Sequence, residues 1–306
     1  MALTQVDQGL LGQYAQYTGF KNRIINGAMA ISQRGTSFTL VSGTTQYTLD
    51  RWYANTTGGA GVVAQTGAAG SYAMQITGAS GVSSCFFGQK IESKNIADAA
   101  SSTVTYSITL SSSTLTSITW YARYPTAVDN YAGVTDIANG TLTINSTPTQ
   151  YTFSISLPAN AVNGLEVFFL TGSFTSGTLV IKNAQLEKGS TATSFDYRPY
   201  STELALCCRY YQIAAFMGVA ANTGEMGLGG GFPVYMRATP SMNTQVTSGV
   251  DGLGLGNTLT RIGTGSATVG PATTTFGSVR GIYNMYCSGL VSGAIYVGST
   301  TVSAEL

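Results

Sequence analysis

The chain has 306 residues, only 9% of them charged, a formal net charge of +1 and no histidine. Its length exceeds one ordinary domain, so two domains are expected, with room for a small third element. Scattered basic residues exclude a nucleic-acid groove, which needs Lys and Arg massed against phosphates. No apolar run approaches a membrane span, and 43% hydrophobic residues with so little charge exclude the balance that gives disorder.

Residues 1–22 read as a separate arm. "LTQVDQGLLGQYAQY" suits a short helix interrupted by Gly9 and Gly12, and the segment is either a loosely ordered arm or an anchor that docks on a larger assembly. The basic-then-apolar order of a signal peptide is missing, so assembly in a cytoplasm is expected.

From residue 23 the hydrophobic period becomes two. "TVTYSITL" (103–110) puts Val104, Tyr106, Ile108 and Leu110 on one face, and "YTFSISL" (151–157) does so with Tyr151, Phe153, Ile155 and Leu157. "SITWYAR" (117–123) alternates Ile118, Trp120 and Ala122 against Thr119, Tyr121 and Arg123, and "GTLTIN" holds Leu142 and Ile144 in phase. "LEVFFL" (165–170) and "GTLVIKNAQL" (177–186) are more continuously apolar, as in strands buried between layers. Short strands joined by small polar turns predict an all-β chain whose larger part is a two-sheet antiparallel sandwich.

The stretch "AQLEKGSTATSFDYRPYSTELALCCRYYQ" (184–212) concentrates charges, tyrosines and Pro199. Its start closes a strand at Gly189, and Pro199 disfavours a strand interior. "STELALCC" predicts a short helix with Ser201 or Thr202 as N-cap and Glu203 in the first turn, Leu204, Cys207, Cys208 and Tyr211 sharing a face. "RYYQIAAFMGV" is helix continuation or a strand leaving it. Beyond it, Gly-rich apolar segments predict a small second β domain that buries its surface against copies of itself. "GLGGG" (227–231) lacks the Lys-Ser/Thr of a phosphate loop and reads as a turn or close backbone packing. The expected organisation is an arm (1–22), a sandwich (23–198), a connecting helix or joint (199–215) and a β tip (216–306).

The missing histidine excludes Ser-His-Asp and Cys-His sites and every Cys/His zinc pattern. Cys85, Cys207, Cys208 and Cys287 form no CxxC pair and read as buried thiols. A glycosidase built on two carboxylates from distant strands stays open, but no enzyme is expected, and no cofactor or metal. For calcium, Asp50, Asp98, Asp129 and Asp136 are merely available oxygen donors. The candidate ligand surface is "TWYARYPTAVDNY" (119–131). Sugar rings stack on aromatic faces while carboxylates and amides bind hydroxyls, so Trp120, Tyr121, Tyr124, Asp129, Asn130 and Tyr131 are the glycan-binding candidates, Tyr121 and Tyr124 foremost. The opposing reading is that Trp120 is core and the tyrosines cover an edge or a subunit contact.

Two segments resemble a domain of bacteriophage and prophage tail-fibre and other virion proteins. "KNRIINGAMAISQRGTSF" followed by "YTLDRWYA" (21–54) is similar to its opening, with Ile25-Asn26-Gly27, Gln33 to Phe38 and Asp50-Arg51-Trp52 as landmarks, and "FGQKIE" (87–92) to the next. The 184–212 stretch is similar to its end, with Asp196 where Glu is common and Cys208 where Gln is common; "FPVYMRATPSM" (232–242) and the terminal "VSAEL" also fit. The resemblance implies a jelly-roll sandwich like that of carbohydrate-binding modules, then a β tip, in a homotrimer attached to other virion proteins through residues 1–22. It carries over no ligand residues. Its landmarks read as structural: Asp50 pairing Arg51, Trp52 in the core, Arg198 and Arg209 bridging carboxylates. The expected protein is a virion fibre contacting host surface polysaccharide without cutting it, with no nucleic acid and no membrane insertion. The alternative is a purely structural head fibre, decoration or tail adaptor.

Overall fold

The computed structural model describes residues 20–242, 258–261, 265–268, 274–278, 280–286 and 288–306. The helix expected near Gly9 and Gly12, most of the 1–22 arm, and Cys287 lie outside them. Every strand pairing among the described residues is antiparallel.

The larger unit is built from β1 (Ser37–Thr39), β2 (Gln46–Tyr47), β3 (Tyr53–Thr57), β4 (Val62–Thr66), β5 (Ala73–Thr77), β6 (Ser84–Ile91), β7 (Thr103–Ser112), β8 (Ser117–Ala127), β9 (Asn130–Thr143), β10 (Thr149–Ser156), β11 (Leu165–Leu170) and β12 (Thr178–Lys188). They form two six-stranded sheets, β1-β4-β5-β12-β7-β10 and β2-β3-β6-β11-β8-β9. The chain switches sheets at every step except β2–β3, β4–β5 and β8–β9, so neither sheet forms alone. The core lies between them: Val104, Tyr106, Ile108 and Leu110 from β7 face Ile118, Trp120 and Ala122 from β8 and Leu165, Val167 and Phe169 from β11. The period of two therefore places the strands as the sequence predicts. "LEVFFL" is not buried on both faces, however. Leu165, Val167 and Phe169 point inward, while Phe168 and Leu170 are half-buried on the outside.

A helical turn, α1 (Ser93–Ile96), follows β6, and α2 (Tyr200–Cys208) follows the sandwich. The predicted connecting helix thus forms, but its N-cap is Pro199 and no side chain caps it. Pro fits there because its fixed φ suits a helix start and it has no N–H to leave unpaired. Its buried residues are Glu203 and Cys207, one turn apart. Tyr211 has already left the helix for a third sheet.

That sheet contains β13 (Tyr211–Ala220), β14 (Glu225–Gly231), β15 (Ser241–Met242), β16 (Thr258–Arg261), β17 (Gly265–Thr268), β18 (Thr274–Ser278), β19 (Gly281–Tyr286) and β20 (Ile295–Ser303). Its order is β17-β16-β20-β13-β14-β19-β18, with β15 also on β20. "GLGGG" is strand β14 rather than a turn. The close approach belongs to its partner strand: a Cβ on Gly218 of β13 would come within 2.5 Å of the Gly227 oxygen, whereas at Gly229 and Gly231 the nearest atom to a Cβ is 3.9 and 4.0 Å away. Phe216, Met226, Leu228, Tyr296 and Val302 make the core of this unit.

Between sandwich and third sheet lies a dense polar joint, and the residues of the virion-protein resemblance meet there. Asn26 adopts a left-handed φ of 58° and is fully buried. Its side chain donates to the Ile31 and Asp50 carbonyls and accepts from the Ile31 N–H, and its carbonyl accepts from Trp52 Nε1. Gln89 acts as a side-chain strand partner, bonding the N–H and C=O of Ile25 at 2.9 and 2.8 Å. Asp50 and Arg51 do not pair with each other. Arg51 sits at φ 71° in a tight turn, which sends the two side chains apart. Asp50 accepts from Gln33 N and Nε2, while Arg51 is paired with Glu305. Arg198 bonds Glu203 at 3.0 Å, and Arg209 bonds Glu92 at 2.7 Å, as the two arginines are expected to do. Trp52 is wholly buried in the sandwich core. Buried polar side chains of this kind are tolerable only when they find partners, and each of these has at least one, although Arg51 Nε and Arg198 Nε are buried without any.

Candidate functional site

The six glycan-binding candidates do not form one surface. Trp120 is turned into the core, 7% exposed, its ring stacked on Phe153 with centroids 3.9 Å apart. Gly140 on β9 lies against the indole, where a Cβ would come within 2.8 Å of Nε1. Tyr121 points outward and lies flat on Phe168, centroids 4.9 Å apart. Tyr124 is half-buried opposite Thr135. The Tyr131 hydroxyl lies between the Ile91 and Leu165 carbonyl oxygens at 2.8 and 3.0 Å. Asp129, in the β8–β9 turn at φ 55°, accepts from the N–H and hydroxyl of Ser93. The Asn130 side chain accepts from the Ala132 N–H within the same hairpin. Tyr121 and Asn130 are thus each already engaged within the protein.

The outer face around Tyr121 is a closed lattice. Tyr47, Tyr53, Phe86, Phe168 and Tyr121 touch in sequence across five strands. Glu166, almost fully buried among them, accepts from Tyr53 Oη and Arg123 Nε, both at 2.5 Å, and Arg123 lies 4.6 Å over the Phe168 ring. Burial, with the Glu166 charge and hydrogen bond, raises the Tyr53 phenol well above its ordinary value, so it remains a neutral donor. Each ring and charge here already has a neighbour.

An open cleft of about 600 Å³ lies elsewhere, where the sandwich meets the joint. Four segments wall it: Ala28 and Ala30 after the Asn26-Gly27 turn, Ala69 to Tyr72 before β5, Lys182 and Asn183 in β12, and Tyr197 to Glu203. The strand wall exists because β12 breaks register between Lys182 and Gln185, with Asn183 left-handed at φ 48°. A bulge of this kind bends a strand and re-aims its side chains. Small residues on one side leave room, and three tyrosines supply flat surface. Tyr197 and Tyr200 are 60% and 62% exposed. Phe195 braces Tyr197 edge-on at 4.6 Å, and the Tyr197 hydroxyl donates to Asn183 Oδ1 at 3.4 Å. Exposed rings held in place beside an amide and an amine are what a pyranose needs, C–H groups against a ring face and hydroxyls against polar tips. The volume falls in the range of small-ligand sites.

Sequence reasoning missed this cleft and read 184–212 as joint only. The segment is both. Arg198 and Glu203 face inward and pair, while Tyr197 and Tyr200 face outward. The tyrosine spacing was the available signal, but nothing local showed which rings stay exposed. Among the described residues no group of three or more Cys, Asp or Glu is placed to hold a metal ion. Asp50, Asp98 and Asp129 are engaged by Gln33, Arg23 and Ser93 respectively. Cys85, Cys207 and Cys208 are free thiols, and burial pushes Cys85 up to about 12 and Cys208 to about 11, so neither is a thiolate at neutral pH.

No protein-family model matches the chain, and no curated protein matches it in sequence. Among solved structures it is similar to a CBM4 carbohydrate-binding module at 17% identity, covering 54% of this chain and 98% of that one, with a TM-score of 0.36. It is similar to the enzymatically active domain of bacteriophage CBA120 tailspike protein 4 at 14% identity, covering 55% of this chain but 21% of that one, TM-score 0.36. A third similar structure is TmCBM61 in complex with β-1,4-galactotriose, at 9% identity, 55% and 99% coverage and TM-score 0.34.

Proposed function

We propose that this chain is a non-enzymatic virion fibre protein, a homotrimer held to other virion proteins through residues 1–22, whose sandwich contacts host-surface glycans at the Tyr197–Tyr200 cleft. The observation that carries the reading is the cleft itself, where the exposed Tyr200 ring and the exposed Tyr197 ring, the latter braced by Phe195, stand beside the Asn183 amide and the Lys182 amine. Its one lining carboxylate, Glu203, is bonded to Arg198, so no pair of carboxylates stands ready to cleave a glycosidic bond. The virion assignment draws on the resemblance in sequence, whose landmark residues converge on one joint. The trimer draws on the outer face of the third sheet, where Met217, Val219 and Ile295 are exposed side by side on the paired strands β13 and β20. Trimerisation multiplies weak single-site affinity through effective concentration.

A structural virion role without glycan binding is the second reading. It is favoured by the fact that Asn26, Asp50, Arg51, Trp52 and Arg209 serve the joint, although the resembling segments also give Ala28, Ala30, Tyr197, Arg198, Tyr200 and Glu203 to the cleft. A glycan array probed with the purified full chain separates the two. Binding that Tyr197→Ala removes supports the first, and silence across bacterial surface polysaccharides leaves the second. Light scattering that returns a monomer at every concentration overturns the trimer, and release of reducing ends from a polysaccharide overturns the non-enzymatic reading.

A further inference from the structure

The cleft has a sign of charge, and one residue sets it. Of its lining side chains, Arg198, Glu203 and Lys182 carry charge. Arg198 is spent: it bonds both Glu203 oxygens, at 3.0 and 3.2 Å, and donates to the Ile24 and Asn22 carbonyls. That pair is neutral and nearly buried. Lys182 is different. Its ammonium makes one long contact, 3.4 Å to the Ser71 hydroxyl. Among the described residues no carboxylate lies within ion-pairing distance of it. The cleft therefore presents one uncompensated positive charge beside the Asn183 amide and the exposed tyrosine rings.

Resting on the reading of this cleft as a glycan site, we infer that it selects a carboxylate-bearing sugar, a uronic acid or similar acidic pyranose, and that Lys182 is the residue that reads the acid. The stacking surface of the tyrosines is indifferent to charge and supplies affinity for any pyranose. The ammonium supplies the difference between an acidic sugar and its neutral counterpart. A single ammonium on a flexible stem matches a single carboxylate. A phosphate dianion calls for several converging donors, usually including arginine, and Arg198 is already committed. Because the cleft is open to water, the charge contributes a modest, salt-sensitive preference rather than the bulk of the affinity.

The test is calorimetric titration of the full chain with oligogalacturonate and with a neutral β-1,4-galactan oligosaccharide of equal length. The wild type is expected to favour the acidic probe by roughly 2–5-fold at low salt. Lys182→Gln should erase that preference by weakening the acidic probe more than the neutral one, and Lys182→Glu should reverse it. Lys182→Arg should retain it, and Tyr197→Ala should weaken both probes alike. Lys182 is on the outer side of β12, so these variants are expected to fold, which circular dichroism checks. Equal binding of both probes, or a preference that survives Lys182→Gln or high salt, overturns the inference while the glycan site stands. Tighter binding of a phosphorylated galactan than of the uronate also overturns it. Binding of no saccharide overturns both the inference and the site.

Discussion

Arg51 and Glu305 form a buried ion pair between residues 254 positions apart, with the Arg51 guanidinium stacked 3.6 Å over the Tyr210 ring. The arginine is 1% exposed. Burial alone would lower its pKa, but the Glu305 carboxylate, then Tyr210 and Tyr47, outweigh that and hold it above its ordinary value. Removing one partner leaves the other charged and dry. Glu305→Ala is expected to cost about 3–5 kcal/mol by urea denaturation, whereas the double change Arg51→Met with Glu305→Leu should recover most of it. Equal losses in the two proteins would show that packing, not charge pairing, holds the contact.

Gly27 follows Asn26 in a turn whose carbonyl accepts from the Ala184 N–H at 3.0 Å. A Cβ there would run into the Ala184 carbonyl oxygen. Backbone cannot rotate away as a side chain can, so Gly27→Ala should destabilise the sandwich by about 1–3 kcal/mol. The measurement is the denaturation midpoint. An unchanged midpoint would mean that the turn and β12 approach less closely than described.

Glu92 accepts from Arg209 and Tyr210. Burial would raise its carboxyl, but those hydrogen bonds, with the charges of Arg209 and Arg237, outweigh burial and hold it below the ordinary value of 4.5. A depressed acid contributes stability that is present above its unfolded value and lost as pH falls through its folded one. Wild type should therefore exceed Glu92→Gln in stability above about pH 4.5, and the gap should close on further acidification. A gap independent of pH in urea titrations at several pH values would remove the charge from the explanation.

Tyr131 is tied to two backbone carbonyls beside Gly164. Tyr131→Phe should lower stability by about 0.5–1.5 kcal/mol and leave any saccharide titration unchanged. A loss of binding at constant stability would return Tyr131 to the ligand surface.

How much of this was legible in the sequence follows from distance along the chain. The alternation in β7, β8 and β10 is local, and it located the sandwich faces, including the inward Trp120. The pairing of Arg198 and Arg209 with carboxylates was also foreseen, from the resemblance, whose matching residues read as structural. The Asp50–Arg51 pairing was not found, because the left-handed turn at Arg51 separates neighbours and its true partner lies near residue 305. The cleft was hidden for the same reason. Its walls come from residues near 28, 70, 182 and 200, none of which has a period, and the register break at Asn183 follows from no hydrophobic pattern. The candidate surface at 119–131 was dense in the right residue types, but the hairpin and the adjoining carbonyls had already used most of them.

The route by which Glu305 reaches Arg51 also sets an order of events. Strand β20 pairs with β13 along its length before its last residues enter the joint. Contacts across so large a sequence separation form late, since loop closure must precede them. Chains are made from the N-terminus, so the sandwich strands are complete before Glu305 exists. Until it arrives, Arg51 lacks its carboxylate partner, with the Lys90 carbonyl and the Tyr210 ring left to hold it. Closure of this one ion pair therefore reports that the third sheet has assembled, and a chain stopped short of residue 305 is expected to carry a loosened joint that a protease can find, however well its sandwich has folded.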